Sequence, residues 1–211
     1  VTLAGEGGVG KTRLALRAAR ILAHSFTDGV YHVPLHPEDH TAQWMNDSPA
    51  SVSSAVTRQI AAACSISLHE GQPVEQQLLA YFRPRALLLL LDSFEHYTGA
   101  IPFLLTLLKA APHCALLVTS LHPLNVRQEW VMRLNGLETP APDVTDARLV
   151  DSVRLFDELA RRRGIAGALS DAQLPAVLEI CRAVNGLPLG IELAVASLPH
   201  VGGLERTASS M

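Results

Sequence analysis

One octapeptide constrains this chain more than any other segment. Gly5-Glu6-Gly7-Gly8-Val9-Gly10-Lys11-Thr12 matches the pattern G-x-x-x-x-G-K-[ST] in full. A short apolar run, Val1-Thr2-Leu3-Ala4, precedes it, and Leu14, Ala18, Ile21 and Leu22 follow at helical spacing, predicting a strand, a glycine loop and a helix over residues 11–24. Each residue type has a physical reason to be there. Glycines let the backbone curl so that successive N–H groups point inward at phosphate oxygens. The start of a helix adds partial positive charge. Lys11 supplies a full charge to the β- and γ-phosphates, and the Thr12 hydroxyl is a ligand for Mg²⁺. The expected ligand is therefore ATP or ADP with Mg²⁺.

Such a loop needs a carboxylate at the tip of another strand. Leu87-Leu88-Leu89-Leu90-Leu91-Asp92 provides five apolar residues and then one acid. A run of that kind reads as a strand buried on both faces of a parallel sheet. Ligands of open α/β sheets gather at the carboxyl ends of the strands, which predicts Asp92 beside Lys11 as the second metal ligand. Glu95, three residues on, is a candidate to orient or deprotonate a water, with a solvated helix-start carboxylate as the plainer reading. Lys11, Asp92 and Glu95 are thus the candidate catalytic residues.

Strands and helices alternate through the first two thirds of the chain. Strands are expected over 29–35, 86–91, 115–120 and 130–134, and helices from Ser48-Pro49 to about Cys64, over 73–82 and over 99–111. This predicts an α/β fold: a doubly wound, mostly parallel five-stranded sheet of the P-loop NTPase kind. Composition changes near Leu137, where Glu138-Thr139-Pro140-Ala141-Pro142 reads as a linker, and the rest is helical. One helix is expected over 146–163, and a second opens at a capping box, Ser170-Asp171-Ala172-Gln173, and closes at Asn185-Gly186. A third starts at Pro188. The expected division is a core over 1–137, a linker over 138–144, a small helical subdomain over 145–198, and a flexible tail over 199–211.

The charge balance, 17 Lys+Arg against 20 Asp+Glu, argues against direct nucleic-acid binding by this segment, which would need clustered basic charge. The basic run Arg161-Arg162-Arg163 suits a solvated helix end. Three scattered cysteines, Cys64, Cys114 and Cys181, read as buried small hydrophobes of a cytoplasmic protein. No apolar stretch approaches the ~20 residues of a membrane helix. His36 and His40 stand four apart, but Pro37 and the loop-like surroundings disfavour a zinc helix. Beginning at Val1 inside a strand, the segment is expected to be one domain of a longer protein.

Four segments together resemble the NB-ARC group of the STAND ATPases (signal-transduction ATPases with numerous domains), as found in bacterial regulators with helix-turn-helix or repeat domains. Residues 5–16, GEGGVGKTRLAL, look like the family's phosphate loop. Residues 89–96, LLLDSFEH, resemble its second acidic motif, and 116–120, LLVTS, its first sensor strand. Residues 185–194, NGLPLGIELA, are similar to its Gly-x-Pro motif. The resemblance implies that Gly5 to Thr12 and Arg13 hold the phosphates, that Thr119 and Ser120 lie in the site, and that Pro188 contacts the adenine. It implies too that the terminal helices form a lid, and that the module is a nucleotide-dependent switch whose partners are the other domains of its chain and further copies when ATP replaces ADP. Two positions depart from the family. Leu121 stands where an arginine usually follows Thr-Ser, and Ser93 where many relatives have a second Asp or Asn, so slow hydrolysis is expected. A metabolic P-loop enzyme such as a small-molecule kinase, or a degenerate module that keeps ADP without cycling, are the alternatives.

Overall fold

The computed structural model describes residues 1–35, 48–141, 146–165 and 170–201. The His36–His40 pair and residues 142–145 and 202–211 lie outside them. The chain divides into two compact units, Val1–Gly5 with Lys11–Arg133, and Glu6–Gly10 with Leu134–Met211.

The first unit is a five-stranded sheet with helices on its two faces. Its strands are β1 (Thr2–Ala4), β2 (Val30–Pro34), β3 (Leu88–Asp92), β4 (Ala115–Ser120) and β5 (Val131–Arg133), in the order β2-β3-β4-β1-β5. Every pairing among the described residues is parallel, in keeping with the expected doubly wound sheet. Its helices are α1 (Lys11–Leu22), α2 (Pro49–Ala63), α3 (Val74–Phe82) and α4 (Ile101–Ala110).

Alternation along β3 sorts the two faces. Leu89 and Leu91 join residues of α2, α3 and α4, among them Val56, Ile60, Leu78, Phe82 and Leu107, in one buried cluster. Leu88 and Leu90 point the other way, where α1 packs on β1, β3 and β4. All five residues of β3 are buried, as the continuous leucine run requires. At the start of α2 the Ser48 hydroxyl accepts the Ser51 N–H with Pro49 in the first turn, the cap that the Ser-Pro pair predicts. Pro34 sits in β2, an edge strand, where a missing N–H is tolerated. Cys64 and Cys114 are buried thiols of this unit, and burial pushes Cys64 up to about 11.

The second unit is helical, with α5 (Asp151–Arg162), α6 (Leu174–Ala183) and α7 (Pro188–Val201). Phe156, Val177, Ile180, Cys181, Ile191 and Val195 form its core. Arg161 and Arg162 pair with Asp157 and Glu158 one turn back, and the basic run is an exposed helix end as expected. Helix α6 corrects the expected start: it opens at Leu174, and no side chain caps it. Asp171 of the supposed capping box is held instead by Arg148 at 2.6 Å. Pro175 falls in the first turn, where its absent N–H costs nothing. Likewise α5 begins at Asp151 rather than 146, after a 3₁₀ turn over Ala147–Leu149.

Backbone meets backbone at the close of α6. Asn185 and Gly186 both have positive φ, 50° and 65°. The Gly186 carbonyl accepts the Leu137 N–H at 2.8 Å. A Cβ on Gly186 would stand 2.0 Å from the Leu137 carbonyl oxygen, and one on Gly136 2.2 Å from that of Asn185. Only glycine permits so close an approach.

Candidate functional site

In the first unit the chemistry-bearing residues gather at the carboxyl ends of three neighbouring strands. The β1 chain runs back through α1 to β2, whereas β4 crosses β1 to reach β5, so neighbouring β1 and β4 send their connections in opposite directions. That is a topological switch point, the place where open α/β sheets leave a crevice. There Ala4 of β1 pairs with Ser120 of β4, and the Gly5 N–H donates to the Ser120 carbonyl at 3.3 Å.

Asp92, which ends β3, is the hub. It is 4% exposed, and its Oδ1 accepts two hydroxyls, Thr12 Oγ1 at 2.8 Å and Thr119 Oγ1 at 2.5 Å. Parity explains the convergence: Asp92 and Thr119 fall on the sheet face that α1 covers, and Thr12 lies in the first turn of α1. Thr119 Oγ1 in turn accepts the Ser93 N–H at 2.9 Å. Ser93 has φ of 64°, the left-handed region, so the chain turns sharply as it leaves the strand.

Lys11, the first residue of α1, reaches back so that Nζ donates to the Gly5 carbonyl at 2.8 Å. Burial lowers its pKa from the ordinary lysine value, while the negative charges of Glu95 and Asp92 act in the opposite direction. Glu95 lies in a 3₁₀ turn over Phe94–His96, and its buried Oε2 has no hydrogen-bond partner. Lys11, Thr12, Asp92, Glu95 and Thr119 are thus brought together. Arg13 is exposed on α1, and Ser120 is buried with its Oγ accepting the His122 N–H at 3.4 Å.

A residue that sequence reasoning missed completes the cluster. His32 Nε2 lies 3.6 Å from Asp92 Oδ2. The side chain comes from β2, where register sets His32 opposite Leu90, on the same face as Asp92. The signal that could have found it is positional: it is an imidazole near the carboxyl end of a strand, on the face shared with the acid.

In the second unit, residues 6–10 of the glycine loop keep company with α7. Gly8 and Gly10 have φ of 77° and 98°, conformations that favour glycine. The Leu189 N–H donates to the Gly8 carbonyl at 3.2 Å, and a Cβ on Gly8 would lie 2.7 Å from Leu189 Cβ. Val9 is buried, Glu6 and Gly7 are exposed, and Pro188, the first residue of α7, is half-buried.

The donor set suits a hydrated divalent cation. A buried carboxylate and a threonine hydroxyl stand 2.8 Å apart, a spacing that neighbouring oxygen ligands of one ion adopt. Among the described residues no cluster of three or more His, Cys, Asp or Glu exists to hold a metal alone. Phosphate oxygens and water would complete the shell. No helix among the described residues is long and apolar enough to cross a membrane.

No family model matches the chain. A provisionally named HTH-type transcriptional regulator of Mycobacterium tuberculosis is 32% identical over 206 residues, covering 97% of this chain and 21% of that protein. The regulatory protein AfsR of Streptomyces griseus is 29% identical over 199 residues, 93% of this chain and 18% of its own length. The chain thus spans about a fifth of these curated relatives. Among solved structures, C. elegans PCH-2 aligns over 99% of this chain and 57% of its own, with TM-score 0.52 and 15% identity, a likeness of fold. A STAND protein with a tetratricopeptide repeat sensor from Pyrococcus horikoshii aligns over 92% of this chain and 26% of its own, with TM-score 0.45 and 14% identity. The fold is that of a P-loop NTPase, and these two relatives are named as regulators.

Proposed function

We propose that this segment binds ATP or ADP with Mg²⁺ and serves as the nucleotide-dependent switch of a longer signalling or transcriptional regulator, in the manner of the NB-ARC group of STAND ATPases. The observation that carries the reading is the Thr12–Asp92–Thr119 cluster at the switch point, with Lys11 folded back onto Gly5. In this reading the Gly5 to Thr12 loop wraps the phosphates and Lys11 Nζ turns from the Gly5 carbonyl to their oxygens. Bound Mg²⁺ neutralises phosphate charge. Thr12 and Asp92 orient it, and Thr119 holds the Asp92 carboxylate in place. Pro188 is the adenine contact, and the sensed signal and output lie in other domains of the longer chain. The buried, unpartnered Oε2 of Glu95 is the group that takes a proton from an attacking water.

Asp92→Asn tests this. The amide loses the anionic oxygen on which two hydroxyls converge, so ATP affinity in Mg²⁺ falls about tenfold or more. ADP affinity in chelator falls much less. Equal losses in the two calorimetric titrations would return Asp92 to a merely structural role.

Leu121 follows β4, 39% exposed, and offers no donor to a γ-phosphate. A charge-assisted hydrogen bond contributes ~1.5–3 kcal/mol, so its absence costs about ten- to a hundredfold in preference for ATP over ADP. The unmodified protein is expected to turn over slowly and to purify with ADP when it carries nucleotide. Leu121→Arg raises ATP affinity relative to ADP. Fast turnover without that substitution contradicts the expectation and turns attention to Arg127.

A further inference from the structure

His32 is not part of the motif that a phosphate loop and a strand-end acid make up, yet it faces the same carboxylate. Asp92 Oδ1 is taken by two hydroxyls, and Oδ2 has the His32 imidazole at 3.6 Å. His32 lies on the edge strand β2 with its side chain 38% exposed, so it can turn without disturbing the core. Two donors at right angles on one ion, each at about 2.1 Å, stand roughly 3 Å apart. Closing the His32–Asp92 gap takes about half an ångström, less than one side-chain torsion supplies.

We propose that His32 Nε2 is a ligand of the divalent cation held at Asp92, and that it gives the site a preference for Co²⁺ or Ni²⁺ over Mg²⁺. The inference rests on the reading of Asp92 as the metal-binding acid. Its chemical basis is donor type. Oxygen-only sites suit Mg²⁺, which keeps its waters and sheds them reluctantly, whereas an imidazole nitrogen favours the later first-row metals. With Asp92, Thr12 and phosphate oxygens as the other donors, one nitrogen makes a mixed set that both later ions accept. Because the described residues hold no three-carboxylate or histidine cluster, selectivity depends on this single nitrogen and on bound phosphate.

The test uses the protein with ADP and titrates MgCl₂, MnCl₂ or NiCl₂ at fixed pH. His32→Phe, which keeps the flat ring, is compared with the unmodified protein. Nickel affinity is expected to fall about ten- to a hundredfold in the variant, with magnesium changed less than about threefold. The Mn²⁺-loaded protein should show imidazole ¹⁴N couplings in its pulsed paramagnetic-resonance spectrum, absent in His32→Phe. Equal affinities for all ions in the two proteins, or no nitrogen coupling, overturn the proposal. Asp92→Asn separates the failures. If it abolishes binding of every ion while His32→Phe changes none, only the role of His32 is wrong. If neither substitution matters, or if no ion binds with ADP, the metal-binding reading of Asp92 falls as well.

Discussion

Lys11→Ala is expected to lower ADP affinity at least about a hundredfold while leaving the fold standing. The side chain carries the one full positive charge in the Gly5–Thr12 loop, and a hydrogen bond to a charged group contributes about 1.5–3 kcal/mol. A lysine that meets two phosphates makes more than one such bond, and a hundredfold in affinity corresponds to ~2.7 kcal/mol. Desolvation sharpens the effect. Lys11 is half-buried with its pKa lowered, so its charge is poorly hydrated in the free protein and is readily given to an anion. The structural cost is smaller: the substitution removes the bond to the Gly5 carbonyl from a side chain that is only partly buried, and water takes over that carbonyl. Calorimetric titration with ADP reads the first effect and thermal unfolding by circular dichroism the second. Unchanged affinity in a folded variant would show that the loop is not where nucleotide binds.

Gly186→Ala should be the most damaging single-methyl change in the helical unit. It places a Cβ on a residue with φ of 65°, where L side chains are strained, and sets that carbon 2.0 Å from the Leu137 carbonyl oxygen. The neighbour is backbone, tied by its own N–H to Gly186 at 2.8 Å, so it cannot swing aside as a side chain would. Left-handed strain of about 1–3 kcal/mol and overpacking of about 1–3 kcal/mol combine to several kcal/mol, enough to unfold a small helical unit. Hydrogen exchange across α5, α6 and α7 should show protection lost there, with β3 and β4 still protected. Gly7→Ala, with nothing within 4 Å of the new carbon, is the control that should leave exchange unchanged. Full protection of α6 in Gly186→Ala would refute the close-approach account.

These two positions mark what sequence could and could not yield. Lys11 stands out in the sequence because the proposed phosphate cradle makes its demand on eight consecutive residues, and a contiguous demand leaves a contiguous pattern. The elements of the first unit are legible for a similar reason. The Leu87–Leu91 run is short and bounded by Pro84 and Asp92, which favours a buried strand and matches β3 over Leu88–Asp92, and Ser48-Pro49 opens a helix by cap chemistry that acts within three residues. Local spacing alone can mislead: Ser170 and Gln173 have capping-box spacing, but α6 opens only at Leu174 and no side chain caps it. His32 shows the deeper limit. Its partner Asp92 lies 60 positions away, and their meeting depends on the register of β2 against β3, which no local periodicity records. Gly186 stands between these cases, since Asn-Gly marks a helix end, whereas the backbone contact with Leu137 that excludes alanine is visible only in three dimensions.

The order β2-β3-β4-β1-β5 also has a meaning in time. β1 leaves the ribosome first, yet both of its neighbours, β4 and β5, are the last strands of the sheet to be made. Translation proceeds at about 5–20 residues per second, so the loop after β1 waits several seconds for the strands that flank it. Until Ser120 has emerged β1 has neither neighbour and Asp92 lacks the Thr119 hydroxyl, and until Arg133 has emerged one edge of β1 stays bare. A nascent chain therefore carries its phosphate loop long before that loop has a sheet to stand on.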